Sequence, residues 1–369
     1  MGGARRFPCL MMCVLLFPAF AAAADSGDTG DAEAGVLRFL RDRIEHEGLI
    51  EFGALHRSDD SGEAGSDRVS EFNLITAELA VGMRFHSWIR GDVTLLYEDA
   101  LGCRDRNGAV DAASVTLQNR GKFPLSLSVG RLYVPFGAAL TRLPDDPAVD
   151  QPMTLLLGET REEAVVAALS HSDFVLSGYL FEGDIGRASG SRASFGLDGR
   201  YELPESGPVD LLLGISYISN IASSNCLAES VADHGTATVR DYVGGIGAYA
   251  EVGFAGFFAS GEYLTALGRF QAAELARADG GGARPSVWNI ETGYNWDWGR
   301  KLEVVLKIAG SAETEKIGLA RRRLGFGLNQ EICRRVTASF ALLGDRFHPG
   351  DIDGKDRGGA ILGQVAVRF

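Results

Sequence analysis

The sequence predicts an all-β protein, a transmembrane antiparallel β-barrel of about 16 strands with a short N-terminal helical segment. Three observations predict it. Apolar residues recur at every second position in runs of about ten, the connections between runs alternate between long and short, and the chain opens on an export signal.

Residues 1–24 read MGGARRFPCLMMCVLLFPAFAAAA, with a basic start at Arg5 and Arg6, an apolar centre from Leu10 to Phe20 and a small-residue end at Ala22 to Ala24. This is the secretory signal pattern, with cleavage expected near Ala24. Pro18 and the shortness of the apolar run argue against a retained membrane helix. Residues 25–46 form the next segment. Its second part, 32–46, spaces Val36, Phe39, Leu40 and Ile44 as one face of a helix, predicting a short periplasmic helix at the barrel base. A helix plugging the channel is the sharper alternative. The barrel is expected over 47–369.

Within it, Ile75, Ala77, Leu79, Val81 and Met83 alternate with Thr76, Glu78, Ala80, Gly82 and Arg84. Ile89, Val93, Leu95 and Tyr97 likewise alternate with Arg90, Asp92, Thr94 and Glu98, and Leu302, Val304, Leu306 and Ile308 with Glu303, Val305 and Lys307. A period of two gives each strand one apolar and one polar face. The candidate strands lie near 47–57, 71–84, 88–98, 110–118, 124–134, 161–170, 173–182 and 192–203 in the first half. The second half supplies 209–218, 239–253, 257–266, 285–296, 301–310, 319–329, 333–343 and 358–369. A soluble sandwich would alternate in the same way. The connections separate the two: short turns such as His86-Ser87 and His171-Ser172 alternate with long loops such as 135–160 and 219–238. Trp88, Tyr97, Tyr133, Tyr217, Tyr263, Trp288, Tyr294 and Trp296 fall near strand ends, as two interfacial girdles would require, and the last strand ends in Phe369. One local signal opposes this reading. Thr160-Arg161-Glu162-Glu163 satisfies a helix capping box, so 161–170 could open a helix.

Charge and motifs narrow the function classes. The 369 residues hold 36 basic and 49 acidic side chains, a formal charge of −13, with no basic run. Phosphate-mediated binding of nucleic acid is a poor fit. No HExxH, P-loop, GxSxG or paired CxxC occurs, and the six histidines are scattered singly, so the chain is expected to be no enzyme and to carry no cofactor or metal. Asp351, Asp353, Gly354 and Asp356 resemble part of a calcium loop but lack its bidentate acid, which favours a solvated acidic loop. Gly244-Gly245-Ile246-Gly247 lies mid-strand and reads as small-residue packing. Beyond the signal, Cys103, Cys226 and Cys333 remain; a bridge between Cys103 and Cys226 and three free thiols are both open.

SVGRLYVPFG (128–137), followed by PMTLLLGETREEAVVAAL (152–169), resembles the signature region of the LbtU-type siderophore porins, the outer-membrane legiobactin-uptake family. DVTLLYED (92–99), YISNIASS (217–224), FFASGEYLTAL (257–267) and PSVWNIETGYNW (285–296) extend the resemblance across most of the chain in the same order. The resemblance implies a sixteen-strand barrel of the cell outer membrane that admits iron–siderophore complexes without an energy-coupled plug. The length agrees, since about 345 residues after the signal cannot hold a plug domain and a twenty-two-strand barrel. Many relatives carry a longer helical segment before the barrel, which puts any function of 32–46 in doubt.

On this footing loop 135–160 is expected to fold inward and narrow the pore. Pro135, Phe136 and Gly137 would turn the chain off the strand that carries Tyr133. Arg131 or Arg161 would anchor the loop on Glu159 or a lumen carboxylate. Strict alternation puts Arg131 on the apolar face with Leu127 and Val129, so it sits above the membrane or follows a bulge; a charge at mid-bilayer would cost about 2–4 kcal/mol. The alternative is that these words only stabilise barrel and loop. The polar faces predict a lumen lined by Glu78, Arg84, Arg90, Asp92, Glu98 and Arg200 in the first half, with Asp198 beside them. Glu251, Glu262, Glu291, Lys307, Arg323 and Arg335 continue it, with Arg368. Facing rows of opposite charge would set up a transverse field, or would pair across adjacent strands. The expected partners are outer-membrane lipid and a ferric siderophore or other small solute. A general or anion- or sugar-selective diffusion porin is the alternative function, and homo-oligomeric assembly follows only by analogy with porins.

Overall fold

The computed structural model describes residues 43–61, 66–98, 106–119, 123–138, 150–190, 193–203, 208–233 and 238–369. The expected signal, most of the helix expected over 32–46 and Cys103 lie outside the described residues. Sixteen strands close into one antiparallel barrel, each paired with its neighbours in sequence. They are β1 (Ile44–Asp60), β2 (Ser66–His86), β3 (Ile89–Glu98), β4 (Arg106–Gln118), β5 (Leu125–Tyr133) and β6 (Arg161–His171). Next come β7 (Phe174–Glu182), β8 (Ser194–Glu202), β9 (Val209–Ile218), β10 (Gly245–Phe254) and β11 (Phe257–Ala266). The last are β12 (Ser286–Asp297), β13 (Lys301–Ala312), β14 (Arg322–Cys333), β15 (Val336–Arg346) and β16 (Arg357–Arg368). Closure is a seam of β1 on β16, in register from Leu49 opposite Arg368 to Asp60 opposite Arg357.

The alternation in sequence becomes an inside and an outside. Leu197, Ile215, Leu306 and Leu324 face outward and are each more than half exposed, whereas Asp198, Ser216 and Lys307, one residue along, are buried. Short hairpins hold one end together. Phe254 pairs with Phe257 around Ala255 (φ 50°) and Gly256 (φ 87°), the positive-φ pair that matches the twist of a two-residue hairpin. Exposed Phe85, Trp88, Phe174, Phe257 and Trp298 cluster at this short-turn end as a belt.

The structure departs from the sequence reading in three places and decides a fourth, the capping-box segment, in favour of the expected strand. Ile44 to His46, expected in a helix, already belong to β1, where Ile44 registers with Met83 of β2. The capping-box segment is strand β6. The Thr160 hydroxyl turns back to the Gly158 carbonyl at 3.2 Å, and ladders with β5 and β7 satisfy the backbone that a helix would otherwise have to satisfy itself. The strand expected over 239–253 starts only at Gly245; Thr238–Val239 pairs in parallel with Gly186–Arg187 in the loop layer. Two helices, α1 (Met153–Gly158) and α2 (Asn225–Asp233), lie in long loops that carried no helical signal strong enough to read.

The apolar core lies inside the barrel. Phe136, Met153 and Leu157 from the β5–β6 loop pack with Ile221, Leu227 and Val231 from the β9–β10 loop, and with Phe270 and Leu275 from the β11–β12 loop. Removing these side chains from water is the main force that draws the long loops inward.

Candidate functional site

The β5–β6 loop leaves the wall at Val134, whose amide donates to the Thr160 carbonyl at 3.0 Å and so closes the base of the loop. Pro135 and buried Phe136 turn the chain across the lumen. Gly137 then sits at φ +80°, a conformation that side chains resist. Its amide donates to Ser216 Oγ on β9 at 2.8 Å, and the Ala138 amide donates to Glu262 Oε1 on β11 at 2.6 Å. A Cβ at Gly137 would lie 2.5 Å from the same Glu262 oxygen, so the seat accepts only glycine without movement. Wall glycines receive the loop as well: a Cβ on Gly245 would meet the Phe136 ring at 3.0 Å.

Asp150 stands further along the same loop. Its carboxylate bridges Lys307 Nζ on β13 at 2.5 Å and the Arg323 guanidinium on β14. Lys307 also lies 3.3 Å from Glu291 on β12, and Arg323 pairs with Asp345 on β15 at 2.6 Å. Burial alone would push the Asp150 carboxyl up; the two cations overcome it and hold the group below the ordinary carboxylate range. From this latch α1 packs against β11, β12 and β13.

A second anchor lies at the other end of the loop. Arg161 Nη1 is ion-paired with Asp111 on β4, and Tyr133 Oη donates to the same carboxylate at 2.9 Å. Parity with Ala113 and Val115 would point Asp111 outward. The register skips it, with Thr94 opposite Ala112 and Leu95 opposite Val110, so Asp111 is the extra residue of a bulge and its side chain turns in. Tyr133, read from sequence as part of a girdle, is therefore bound inside. Arg131 is exposed on the outer wall, in register with Glu163 near the long-loop end of β5. Glu159 borders the lumen cavity.

The other predicted lumen residues divide by position. Glu78 and Glu98 line the cavity beside β1 to β4, and Arg335 and Arg368 line it at the short-turn end. Arg84 and Arg90 share Glu45, at 2.8 and 2.7 Å, and Arg90 also holds Asp92 at 2.7 Å. Asp198 accepts from Tyr249 Oη at 3.1 Å, with Arg200 two residues along the same strand. Glu251 is half-buried on β10, and Glu262 and Glu291 are buried against the inward loop. Opposite charges thus pair with near neighbours.

The lumen cavity measures about 890 Å³. It is bounded by Thr76, Thr94 and Leu96 on the wall and by Gln151, Leu155 and Glu159 on the loop. In the acidic β15–β16 loop the cation is a side chain. Lys355 Nζ bonds Asp353 Oδ2 at 2.6 Å, while Asp351 Oδ1 accepts the Asp353 amide at 3.1 Å. Cys226 is disulfide-bonded and buried, and Cys333 is an exposed free thiol.

Asp111, Asp150, Asp345, Ser216 and Glu45 are among the site residues that the sequence reading missed. Asp111 could have been found as an acid on an apolar face, which needs either a partner or a bulge. Asp150 and Asp345 carried no local signal.

No protein-family model matches the sequence. A UPF0422 protein of Coxiella burnetii is 26% identical over 287 residues, which cover 76% of this chain and 59% of that protein. A UPF0422 protein of Legionella pneumophila is 23% identical over 280 residues, covering 69% of this chain and 50% of its own length. The chain thus spans about half the length of the curated relatives it matches. Among solved structures it is similar to an anion-selective porin from Comamonas acidovorans, with a TM-score of 0.58 at 12% identity over 88% of this chain and 99% of the porin. Pseudomonas putida OprB gives a TM-score of 0.57 at 12% identity, over 92% and 98% of the two chains. At these identities the likeness is one of fold, a porin-type barrel.

Proposed function

We propose that the protein is a porin-like channel of the cell outer membrane that admits small solutes, ferric siderophores foremost, without an energy-coupled plug. The observation that carries this reading is the loop between β5 and β6, fixed across the interior of a closed barrel by Ser216, Glu262, Lys307 and Arg323 while a cavity of about 890 Å³ remains beside it. The apolar outer wall suits a hydrocarbon surround. The siderophore assignment draws on the resemblance of residues 128–137 and 152–169 to the LbtU-type porins, with export following cleavage near Ala24. In this reading Arg131 lies above the membrane, and Arg161 holds the loop on Asp111.

The mixed charge of the lining favours a second reading, a general or anion- or sugar-selective diffusion porin. One similar structure is itself an anion-selective porin. Single-channel conductance of the refolded protein, titrated with a ferric siderophore and then with simple sugars, separates the two. Block by the iron complex alone supports the siderophore channel, and indifference to it supports the general porin. Folded protein with no conductance would defeat both.

A further inference from the structure

We propose that the outer wall carries a binding site for a phosphorylated glycolipid of the outer leaflet, of the lipid A kind, built by Arg322, Arg346 and Arg357. The inference rests on the outer-membrane placement proposed above and adds a lipid partner that the channel reading does not require.

The three arginines form one row. Arg322 registers directly opposite Arg346, and Arg346 directly opposite Arg357, on the adjacent strands β14, β15 and β16. All three are exposed. Parity turns them outward, since exposed Leu324, Leu342 and Ile361 share their faces. Each stands where its strand meets a long loop, at the end of the barrel away from the Phe254–Phe257 hairpin. Toward mid-wall the same faces carry Leu324 and Phe326, Gly344 and Leu342, and Gly359 and Ile361, none of them charged. The row is therefore the first charged level above the apolar band, at the depth of outer-leaflet headgroups.

Such a row is unfavourable by itself. Opposed side chains on adjacent strands sit about 5 Å apart, and like charges there repel. Among the described residues Arg322 and Arg346 have no acid at salt-bridge distance. Arg357 keeps Asp356 only at 3.9 Å, with Asp60 in register on its far side. A phosphate monoester carries a charge of about −1.5 to −2 and three strong acceptor oxygens. Placed among the guanidinium groups it relieves their repulsion and takes bidentate bonds from them. The single charge of a phospholipid diester answers three cations less well.

The wall beneath suits acyl chains. Gly344 and Gly359 lie directly opposite each other, between the arginine row and Leu342 and Ile361. A Cβ on Gly344 would meet nothing within 4 Å, and one on Gly359 only the Leu343 carbonyl at 3.7 Å. They leave a bare strip of backbone on which a hydrocarbon chain can lie. Beyond Arg322 the row continues through Gly310 to Trp288 and Tyr263. A Cβ on Gly310 would lie 2.9 Å from the Trp288 ring, so the indole reaches to the edge of the arginines. Aromatic rings of this kind sit at headgroup level.

The test is a thermal-unfolding titration of the refolded full chain in detergent. The probes are bisphosphorylated lipid A, its dephosphorylated form, phosphatidylglycerol and inorganic phosphate. Lipid A should raise the unfolding midpoint, with the other three each about ten-fold weaker or more. Arg322→Gln combined with Arg346→Gln should weaken lipid A binding about ten-fold or more. The same variant should leave the lipid-free midpoint unchanged or higher, because it removes a repulsion. Arg334→Gln, at an exposed arginine of the β14–β15 short turn, should bind as the parent does. Equal binding by parent and double variant overturns the site. Equal response of the parent to dephosphorylated lipid A overturns it without any variant, and equal response to phosphatidylglycerol or phosphate overturns the glycolipid as occupant. Conductance is recorded on the same preparation. A conducting barrel that ignores lipid A defeats this inference alone, and a silent barrel that binds it defeats the channel reading alone.

Discussion

Asp150 and Lys307, 157 residues apart in the chain, meet inside the barrel at 2.5 Å, with the lysine wholly buried. Each partner of this latch has a second companion: Lys307 keeps Glu291 at 3.3 Å, and Arg323 keeps Asp345 at 2.6 Å. Asp150→Asn should therefore leave no cation stranded in the wall while freeing the loop. The expected outcome is a folded barrel with conductance raised about two-fold or more and noisier open states. Unchanged conductance would mean that the apolar packing of α1 alone holds the loop.

The same latch should be indifferent to mild acid. Because the Asp150 carboxyl is held below its ordinary value of about 3.9, its stabilisation is present above that pH and is lost only as pH falls through the lower folded value. Conductance of the parent channel is expected to be flat between about pH 7 and 5 with respect to this group. A midpoint near pH 6 that Asp150→Asn abolishes would refute this.

Gly137→Ala combines a positive φ of 80° with a Cβ placed 2.5 Å from Glu262 Oε1. The backbone strain alone costs about 1–2 kcal/mol, and Glu262 must also move. Thermal unfolding should shift down and conductance should change. Gly199→Ala, with open space around its Cβ, should do neither.

Arg161→Ala removes the guanidinium from the buried Asp111 carboxylate and leaves Tyr133 Oη donating to it. Removing one partner of a buried ion pair costs about 3–5 kcal/mol, less what Tyr133 and cavity water restore. Heat-modifiability in detergent should drop to a lower temperature, and the double variant Asp111→Asn with Arg161→Ala should recover part of the loss. A purely additive double variant would show that the pair contributes nothing as a pair.

His348, in the β15–β16 loop, lies with Nε2 3.1 Å from Ser311 Oγ and Nδ1 3.9 Å from Glu315. Burial lowers its imidazole, and Arg321 adds to this, while Glu315 and Asp351 work against it. A histidine lowered on folding contributes stability that is full above its unfolded value of about 6.5 and falls as pH drops below it. Hydrogen-exchange protection over residues 313–321 and 347–356, corrected for the intrinsic exchange rate, should therefore fall between about pH 7 and 5. His348→Gln should flatten that dependence.

Much of the architecture was legible because a barrel wall writes its two faces into alternate residues. The outward exposure of Leu306 and Ile308 and the burial of Lys307 between them follow from period two alone. The breaks in that period were not legible. The bulge at Asp111 changes a side chain's face without changing the residue sequence around it. Partners across the lumen, Asp150 with Arg323 or Ala138 with Glu262, are set by closure and by the path of a loop, and neither leaves a local pattern. The loop helices were missed because α1 is six residues long and gains its stability from the core rather than from its own sequence.

The seam has a bearing on how the molecule comes into being. Gln364 donates to Glu51 across 313 residues of chain, and the β1–β16 ladder joins the two ends of the barrel sequence. Until that ladder zips, every earlier strand belongs to a sheet with two raw edges, each able to recruit a neighbouring molecule. Contacts so distant in sequence form slowly. The vulnerable period in the life of this protein is thus its assembly, and an agent that caps either β1 or β16 would arrest it more effectively than one aimed at the finished pore.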